Sequence, residues 1–244
     1  MRIAILVCST DSSGFSEQYP NDGEKFVTLL QPIRPDWSFH AVPVNENVLP
    51  GLVSDHDGYI VTGSPKSNQE SDDWVERLHA FIRKLDEARA PTVGICFGHQ
   101  AIAAALGGRL QENPGDTTAE SFNIGVETLH LVSEEPWMKP PRDALSLYAA
   151  HAEQVTRLPK SARLIGWSHD CPVASFVVGE RGREHMLACE FHPEIYRDFI
   201  RAMIVSKESD LGSDVVAAKL EEIETETDGA VMGEWMARFL EMER

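Results

Sequence analysis

The stretch of sequence that decides the fold of this 244-residue chain is Pro91-Thr-Val-Gly-Ile-Cys-Phe-Gly-His-Gln100. Its first six residues are mostly apolar and predict a buried strand over 91–96. The Ala-rich segment that follows predicts a helix over 97–106. Cys96 is therefore expected at a sharp turn from a buried strand into a helix.

Two glycines frame this turn, Gly94 and Gly98, each two residues from Cys96. The pattern is the cysteine counterpart of the G-x-S-x-G turn, in which side chains next to the nucleophile would collide. The positive end of the helix is expected to lower the pKa of the thiol and favour the thiolate. Cys96 is thus predicted to be a nucleophile, whereas Cys8 and Cys189 lie in apolar runs and are expected to be core residues.

Further strands and helices alternate on both sides of this stretch. Strands are predicted over 3–7, 37–44, 58–62, 126–132, 145–149, 164–167, 173–178 and 185–191, and a polar loop over 112–123. Helices are predicted over 24–30, 72–88, 195–205, 211–224 and 230–242. This order predicts a doubly wound, mostly parallel α/β sheet with helices on both faces and a small antiparallel strand set. The simplest division is one domain over 1–205 and a C-terminal helical extension over 206–244, packed on it.

The charge balance narrows the classes of partner. Thirty-nine acidic residues against 22 basic ones give a formal net charge of −17, which argues against nucleic acids and anionic membrane surfaces. The four cysteines form no C-x-x-C pair, so neither a metal site nor a disulfide framework is predicted. No apolar run approaches the roughly 20 residues that span a membrane. We therefore expect a cytoplasmic protein.

A cysteine nucleophile needs a histidine base that a third group orients. The segment Phe191-His-Pro-Glu194 offers His192 directly after a predicted strand, with a carboxylate two residues further on. Glu194 is expected to turn back and fix the tautomer of the imidazole. His151 is the main competitor for the role of base, and the sequence leaves that alternative open.

At this point the residues resemble a known family. The turn around Cys96 and the Phe191–Glu194 segment are similar to the class I (triad-type) glutamine amidotransferases, most of all to stand-alone proteins like the amidotransferase domain of GMP synthase. Blocks at 61–67, 123–125 and 151–159 resemble the family in the same order. The resemblance implies a flavodoxin-like fold over roughly residues 1–200.

The resemblance also implies the roles of the site residues. Cys96 would attack the side-chain carbonyl of glutamine, and His192, oriented by Glu194, would protonate the departing ammonia and later activate water. The backbone N–H groups of Ser64 and Phe97 would form the oxyanion hole. The substrate-binding residues implied in the same way are Gly63, Gln100, His151 and Ala152.

Three departures from the family pattern concern the substrate pocket. Ser64 stands where the family usually has a second glycine, although a backbone N–H survives the change. Ala150 and Ala152 replace the serine and glycine of the family's Ser-His-Gly-Asp block, next to the expected site of the substrate's α-amino and α-carboxyl groups. The loop over 111–122 is unlike the family and is expected to shape the acceptor side.

The leading hypothesis is an amidotransferase-like hydrolase that cleaves a γ-glutamyl side-chain amide through a Cys96 thioester and releases ammonia. A γ-glutamyl peptide or γ-glutamyl amide hydrolase is the first alternative, and a catalytically silent regulatory or binding subunit is the second. No cofactor is predicted. The predicted partners are glutamine or another γ-glutamyl compound, a separate synthetase chain, and a second copy of the chain in a homodimer.

Overall fold

The computed structural model describes residues 1–11, 14 and 16–242. The strands are β1 Arg2–Val7, β2 Ser38–Pro43, β3 Gly58–Val61, β4 Thr92–Ile95, β5 Arg109–Glu112, β6 Asn123–Leu131, β7 Ala144–His151, β8 Glu153–Arg157, β9 Ala162–Trp167, β10 Ser175–Val178 and β11 Met186–Cys189. The α-helices are α1 Asp22–Leu30, α2 Asp73–Glu87, α3 Phe97–Ala105, α4 Thr118–Ser121, α5 Arg197–Ser206, α6 Glu208–Leu211, α7 Ser213–Glu222 and α8 Gly229–Leu240.

Nine strands form one sheet in the order β2-β1-β3-β4-β11-β10-β9-β6-β7. The strands from β2 to β11 pair in parallel, and the sheet continues from β11 to β7 with antiparallel pairs. β5 and β8 form a separate antiparallel pair. The predicted doubly wound sheet and its antiparallel strand set are therefore both present.

The two faces of the sheet carry separate cores. In β1, Ile3 and Ile5 pack into the core under α1 and α8, whereas Ala4 and Leu6 pack into the core under α2 and α3. This alternation follows from the two-residue period of a strand, which sends successive side chains to opposite faces. A strand covered on both sides is apolar throughout, as the sequence of β1 indicated.

Three local predictions were wrong. The predicted loop over 112–123 contains the end of β5 and the helix α4, and β8 was not predicted at all. Helix α1 begins at Asp22 rather than at residue 24, because the Asn21 side chain accepts from the Glu24 N–H and the Glu24 side chain accepts from the Asn21 N–H. This capping box supplies hydrogen-bond partners at the helix end and so fixes its first turn.

The helices at the end of the chain pack on the rest of the fold. Trp235 and Phe239 of α8 lie in the same core as β1 and α1, and Trp235 Nε1 donates to Pro140 O at 3.0 Å. The division into a domain over 1–205 and an extension over 206–244 stays a prediction. Among residues 1–11, 14 and 16–242, no helix is both long and apolar enough to cross a membrane.

Candidate active site

Three neighbouring parallel strands end at the same edge of the sheet and bring three predicted site residues together. Gly63 lies just beyond β3, Cys96 follows β4, and His192 follows β11 after a short turn. β4 pairs with β3 on one side and with β11 on the other, and the Cys96 N–H donates to Cys189 O at 2.9 Å. Open α/β sheets bind their ligands at this edge, outside the carboxyl ends of the strands.

The turn at Cys96 has an uncommon backbone conformation, with φ 52° and ψ −109°. A positive φ is sterically unfavourable for a residue with a side chain and is typical of strained functional sites. The flanking glycines permit the close packing of this turn. A Cβ on Gly94 would lie 2.5 Å from Gly98 O, and a Cβ on Gly98 would collide with the Val61 carbonyl.

His192 is held in place from two sides. Its Nδ1 lies 2.7 Å from Glu194 Oε1, and its backbone N–H donates to Tyr148 O at 2.8 Å. Both His192 and Glu194 are 7% exposed. Among the described residues, His192 Nε2 makes no close hydrogen bond. A carboxylate bound to Nδ1 fixes the tautomer, so Nε2 is the nitrogen that can exchange a proton with a reacting group.

The protonation states of His192 and Cys96 depend on each other. Burial alone would lower the pKa of His192, but the charges of Glu194 and Cys96 raise that pKa well above its ordinary value. Burial raises the pKa of the Cys96 thiol, and the charge and hydrogen bond of His192 oppose that rise. The predicted lowering of the thiol pKa was wrong in direction, because Cys96 is only 4% exposed and desolvation outweighs the effect of His192. The thiolate is favoured only as the partner of a charged imidazole.

The two N–H groups of the predicted oxyanion hole belong to Ser64, which lines the same cleft as Cys96, and to Phe97, which follows Cys96 in the chain. The amide nitrogens of Ser64 and Phe97 donate to no described acceptor, and Phe97 is the first residue of α3. Free N–H groups in the first turn of a helix attract negative charge. These two groups have the chemistry that an oxyanion hole needs.

One cleft of about 610 Å³ contains most of the predicted site residues. Those that line it are Gly63, Ser64, Cys96, Gln100, His151, Ala152, His192 and Glu194. Phe97 is not among them, and its side chain is fully buried. The loop over 111–122 also contributes, through Glu112, Ser121 and Phe122.

Gln100 takes part in a buried network that sequence reasoning missed. Its Nε2 donates to Glu190 Oε1 at 2.8 Å and to Glu153 O at 2.9 Å. The second oxygen of Glu190 lies 2.7 Å from His99 Nδ1. Burial would raise the pKa of Glu190, but the charges of His99 and His151 and the hydrogen bonds from His99 and Gln100 keep it below its ordinary value. The Gln100 amide N–H groups are thus engaged within the protein.

Glu153 is a further residue of the cleft that was not predicted. Its Oε1 accepts from Ser67 Oγ at 2.6 Å and from Gln69 Nε2 at 3.0 Å. Its Oε2 is buried and has no partner in the described part of the chain. His151 Nδ1 lies 3.0 Å from Glu153 O, and His151 Nε2 lies 3.3 Å from Asn123 Nδ2. The position of Glu153 in the Ala150–Glu153 block is the signal by which the sequence could have indicated it.

Comparisons with known proteins agree with this geometry. A family model described as glutamine amidotransferase class-I matches residues 36–207. The chain is 27% identical over 208 residues to gamma-glutamyl peptidase 2 of Arabidopsis thaliana, covering 83% of this chain and 79% of the relative. It is 31% identical over 140 residues to a glutamine-hydrolysing GMP synthase of Azoarcus sp., covering 57% of this chain and 25% of that protein.

The crystal structure of a glutamine amidotransferase from Thermotoga maritima superposes with a TM-score of 0.76 at 17% identity, over 98% of both chains. At this identity the likeness concerns the fold. The flavodoxin-like prediction is confirmed by it, and the family resemblance is confirmed by the family model.

Proposed function

The chain belongs to the class I glutamine amidotransferase family, and from that premise we propose that it hydrolyses γ-glutamyl side-chain amides through a thioester on Cys96. The observation that carries the proposal is the meeting of two features in one cleft. Cys96 has the positive φ of a strained turn, and His192 is paired with Glu194 at 2.7 Å. A nucleophile beside an oriented base is the arrangement that covalent acyl transfer requires.

The first half of the reaction forms the thioester. The Cys96 thiolate attacks the side-chain carbonyl carbon, and the oxygen takes up the negative charge as the tetrahedral intermediate forms. The N–H groups of Ser64 and Phe97 stabilise that charge, at about 2.7–4 kcal/mol for a donor of this kind. The His192 imidazolium then gives its Nε2 proton to the leaving nitrogen, the C–N bond breaks, and the amine departs.

The second half returns the enzyme to its starting state. Neutral His192 takes a proton from water, and the hydroxide attacks the thioester carbonyl. Collapse of the second tetrahedral intermediate breaks the C–S bond and releases glutamate. The Cys96 thiolate and the His192 imidazolium are restored, so the net reaction consumes one water and yields glutamate and an amine.

The γ-glutamyl part of the substrate fits the side of the cleft that Glu153 forms. The unpartnered Oε2 of Glu153 is a suitable acceptor for the α-ammonium group, because a buried carboxylate oxygen without a partner is costly. The other oxygen is held by Ser67 and Gln69, so the carboxylate is oriented before a substrate arrives. Gln100 supports this wall through its bond to Glu153 O.

A glutaminase that delivers ammonia to a separate synthetase chain is the second candidate. The similarity to a quarter of a glutamine-hydrolysing GMP synthase favours it. The two candidates share the chemistry at Cys96 and differ in the amine that leaves. Free glutamine as the best substrate would favour the second candidate, and a substituted γ-glutamyl amide would favour the first.

A glutamine-mimicking electrophile tests the proposal. The diazoketone analogue of glutamine is expected to modify Cys96 alone, as peptide mass spectrometry would detect, and Cys96→Ala is expected to abolish both labelling and turnover while the circular dichroism spectrum is unchanged. Cys189 serves as an internal control, since burial raises the pKa of its thiol to about 12. Full turnover by Cys96→Ala would refute the proposed mechanism.

A further inference from the structure

We propose that the His192 side of the cleft is a subsite for the leaving amine, and that it accepts an α-amino acid or peptide with an apolar side chain whose carboxylate pairs with Lys207. The inference rests on the proposed function, because it names the amine that thioester formation releases. It assigns a role to Phe199, Met203 and Lys207, which the chemistry at Cys96 does not use.

The direction of the leaving group follows from the proton donor. The group that protonates the departing nitrogen must face it, so the amine leaves on the side of His192. His192 is bonded to Tyr148 O, and Tyr148 belongs to the apolar cluster that contains Ile195 and Phe199. Glu153 and Gln100, which are bonded to each other, form the wall to which the proposed function assigns the γ-glutamyl group. The cleft therefore has a γ-glutamyl side and a leaving-group side.

The size of the cleft leaves room for a leaving group larger than ammonia. Its volume is about 610 Å³, within the range of about 300–1,000 Å³ that accommodates drug-sized ligands. A γ-glutamyl unit contains only nine non-hydrogen atoms with its carbonyl oxygen and occupies one part of such a volume. Residues of α5 and its neighbours also line the cleft, and we assign the remaining space to their side of it.

The wall of this remaining space is apolar and firmly packed. Ile195, Phe199 and Met203 line the cleft; Ile195 and Phe199 belong to one buried hydrophobic cluster, and the partly buried Met203 packs against it. Ile195 and Phe199 are nearly buried, at 7% and 5% exposure. A leaving group that covers this wall gains roughly 25 cal/mol for each Å² of apolar surface removed from water. An apolar side chain on the amine is the complementary group.

Lys207 supplies a positive charge at the rim of this wall. Its Nζ lies 4.4 Å from the ring centroid of Phe122, and both residues line the cleft. No ion pair of Lys207 occurs among the residues that the structure describes. A partly buried ammonium group of this kind attracts a carboxylate.

Three other charged residues that line the cleft, Asp22, Lys66 and Glu70, are already compensated. Asp22 pairs with the buried Lys25 at 2.8 Å, and Lys66 pairs with Glu70 and with Asp72. An α-amino acid, bound through its nitrogen to the γ-glutamyl carbonyl, carries an apolar side chain and a carboxylate on the same carbon. It can therefore contact the apolar wall and the Lys207 ammonium at once.

Matched substrates test the role of the carboxylate. γ-Glutamyl-leucine and γ-glutamyl-(3-methylbutyl)amide differ only in that carboxylate, and glutamate release gives kcat/KM for each. The wild-type protein is expected to prefer γ-glutamyl-leucine by about tenfold, which corresponds to about 1.4 kcal/mol. Lys207→Met keeps the aliphatic stem and is expected to reduce the ratio to about one, through a lower kcat/KM for γ-glutamyl-leucine.

Lys160→Met is the control, since Lys160 is exposed and does not line the cleft; its ratio is expected to equal that of the wild type.

γ-Glutamyl-glycine tests the apolar wall, because wild-type protein should cleave it less efficiently than γ-glutamyl-leucine, and Met203→Ser should narrow that difference. The subsite would be overturned if the wild-type protein cleaved γ-glutamyl-leucine and γ-glutamyl-(3-methylbutyl)amide with equal kcat/KM, or if Lys207→Met kept the wild-type ratio of the two values. In both cases, cleavage of the amides would still uphold the proposed function. Absence of cleavage of every γ-glutamyl compound, together with unlabelled Cys96, would overturn both.

Discussion

The substitution Gly63→Ala tests whether Cys96 and His192 react together. A Cβ on Gly63 would lie 3.0 Å from His192 Cε1 and 3.8 Å from Cys96 Cβ. Carbon atoms pack best at about 3.5–4.0 Å, so the imidazole has to retreat by about 0.5 Å or more. Catalytic groups work within about 0.5 Å of their productive positions, and a displacement of about 1 Å costs roughly 100-fold in rate. We expect kcat/KM to fall between about tenfold and 100-fold.

The stability of this variant should change little. The φ of Gly63 lies outside the left-handed region, so alanine adopts the same backbone, and reduced freedom of the unfolded chain stabilises such a variant by about 0.4–1 kcal/mol. This gain offsets part of the cost of the close contact. Thermal unfolding followed by circular dichroism checks that the fold is retained.

A chromogenic γ-glutamyl anilide provides the rate measurement. Gly51→Ala is the matched control, because the nearest atom to its new Cβ, Asp55 Oδ2, is 3.5 Å away; this variant should keep full activity. If Gly63→Ala retained wild-type kcat/KM at an unchanged melting temperature, the position of His192 beside Cys96 would have no bearing on the reaction, and the reasoning would be refuted.

Three further predictions concern the base, its carboxylate and the end of the chain. His192→Ala should reduce kcat far more than His151→Ala, because His192 Nδ1 faces the carboxylate of Glu194, whereas His151 Nδ1 faces the backbone oxygen of Glu153; steady-state rates with a γ-glutamyl anilide decide this, and the reverse order would make His151 the base. Glu194→Gln should lower the pKa of His192, since the charge of Glu194 raises it against the effect of burial. The imidazolium is then lost at lower pH, so the alkaline limb of the plot of kcat against pH should shift to lower pH. An unshifted limb would contradict the assignment of Glu194 as the group that orients and charges His192. A chain ending at residue 205 should fail to fold in urea titrations, because it lacks Trp235 and its neighbours in the core. Each such side chain contributes about 1.5–3 kcal/mol to a total of about 5–15 kcal/mol, and a folded fragment would instead identify 206–244 as separable.

Sequence reasoning located elements whose signal is local. Helix α2 was predicted over 72–88 and spans Asp73–Glu87, because its buried residues recur at helical spacing. The strand β8 has a mixed burial pattern over Glu153–Arg157, so neither strict alternation nor a continuous apolar run marked it. The capping box of Asn21 and Glu24 was present in the sequence, and reading it would have placed the start of α1 correctly.

The candidate site likewise contains residues that the sequence indicates locally and residues that only the fold brings together. Cys96 and the pair His192 and Glu194 lie in short motifs, so their residue types and spacing pointed to them. The bond between Gln100 and Glu190 joins residues 90 positions apart, and only the folded chain brings them together. The direction in which the pKa of the Cys96 thiol shifts depends on burial, which is a property of the whole fold rather than of the turn.

The adjacency of β4 and β11 has a consequence for biosynthesis. Ile95 is paired with Cys189 across these strands, yet almost the whole antiparallel half of the sheet is synthesised between them. Contacts between residues so distant in sequence form late, because closing a long loop costs entropy before the contact stabilises the chain. In the proposed mechanism His192 is the base of Cys96, so a nascent chain exposes the Cys96 thiol long before it possesses the group that activates it. Cys96 stays without that base until synthesis has passed residue 192.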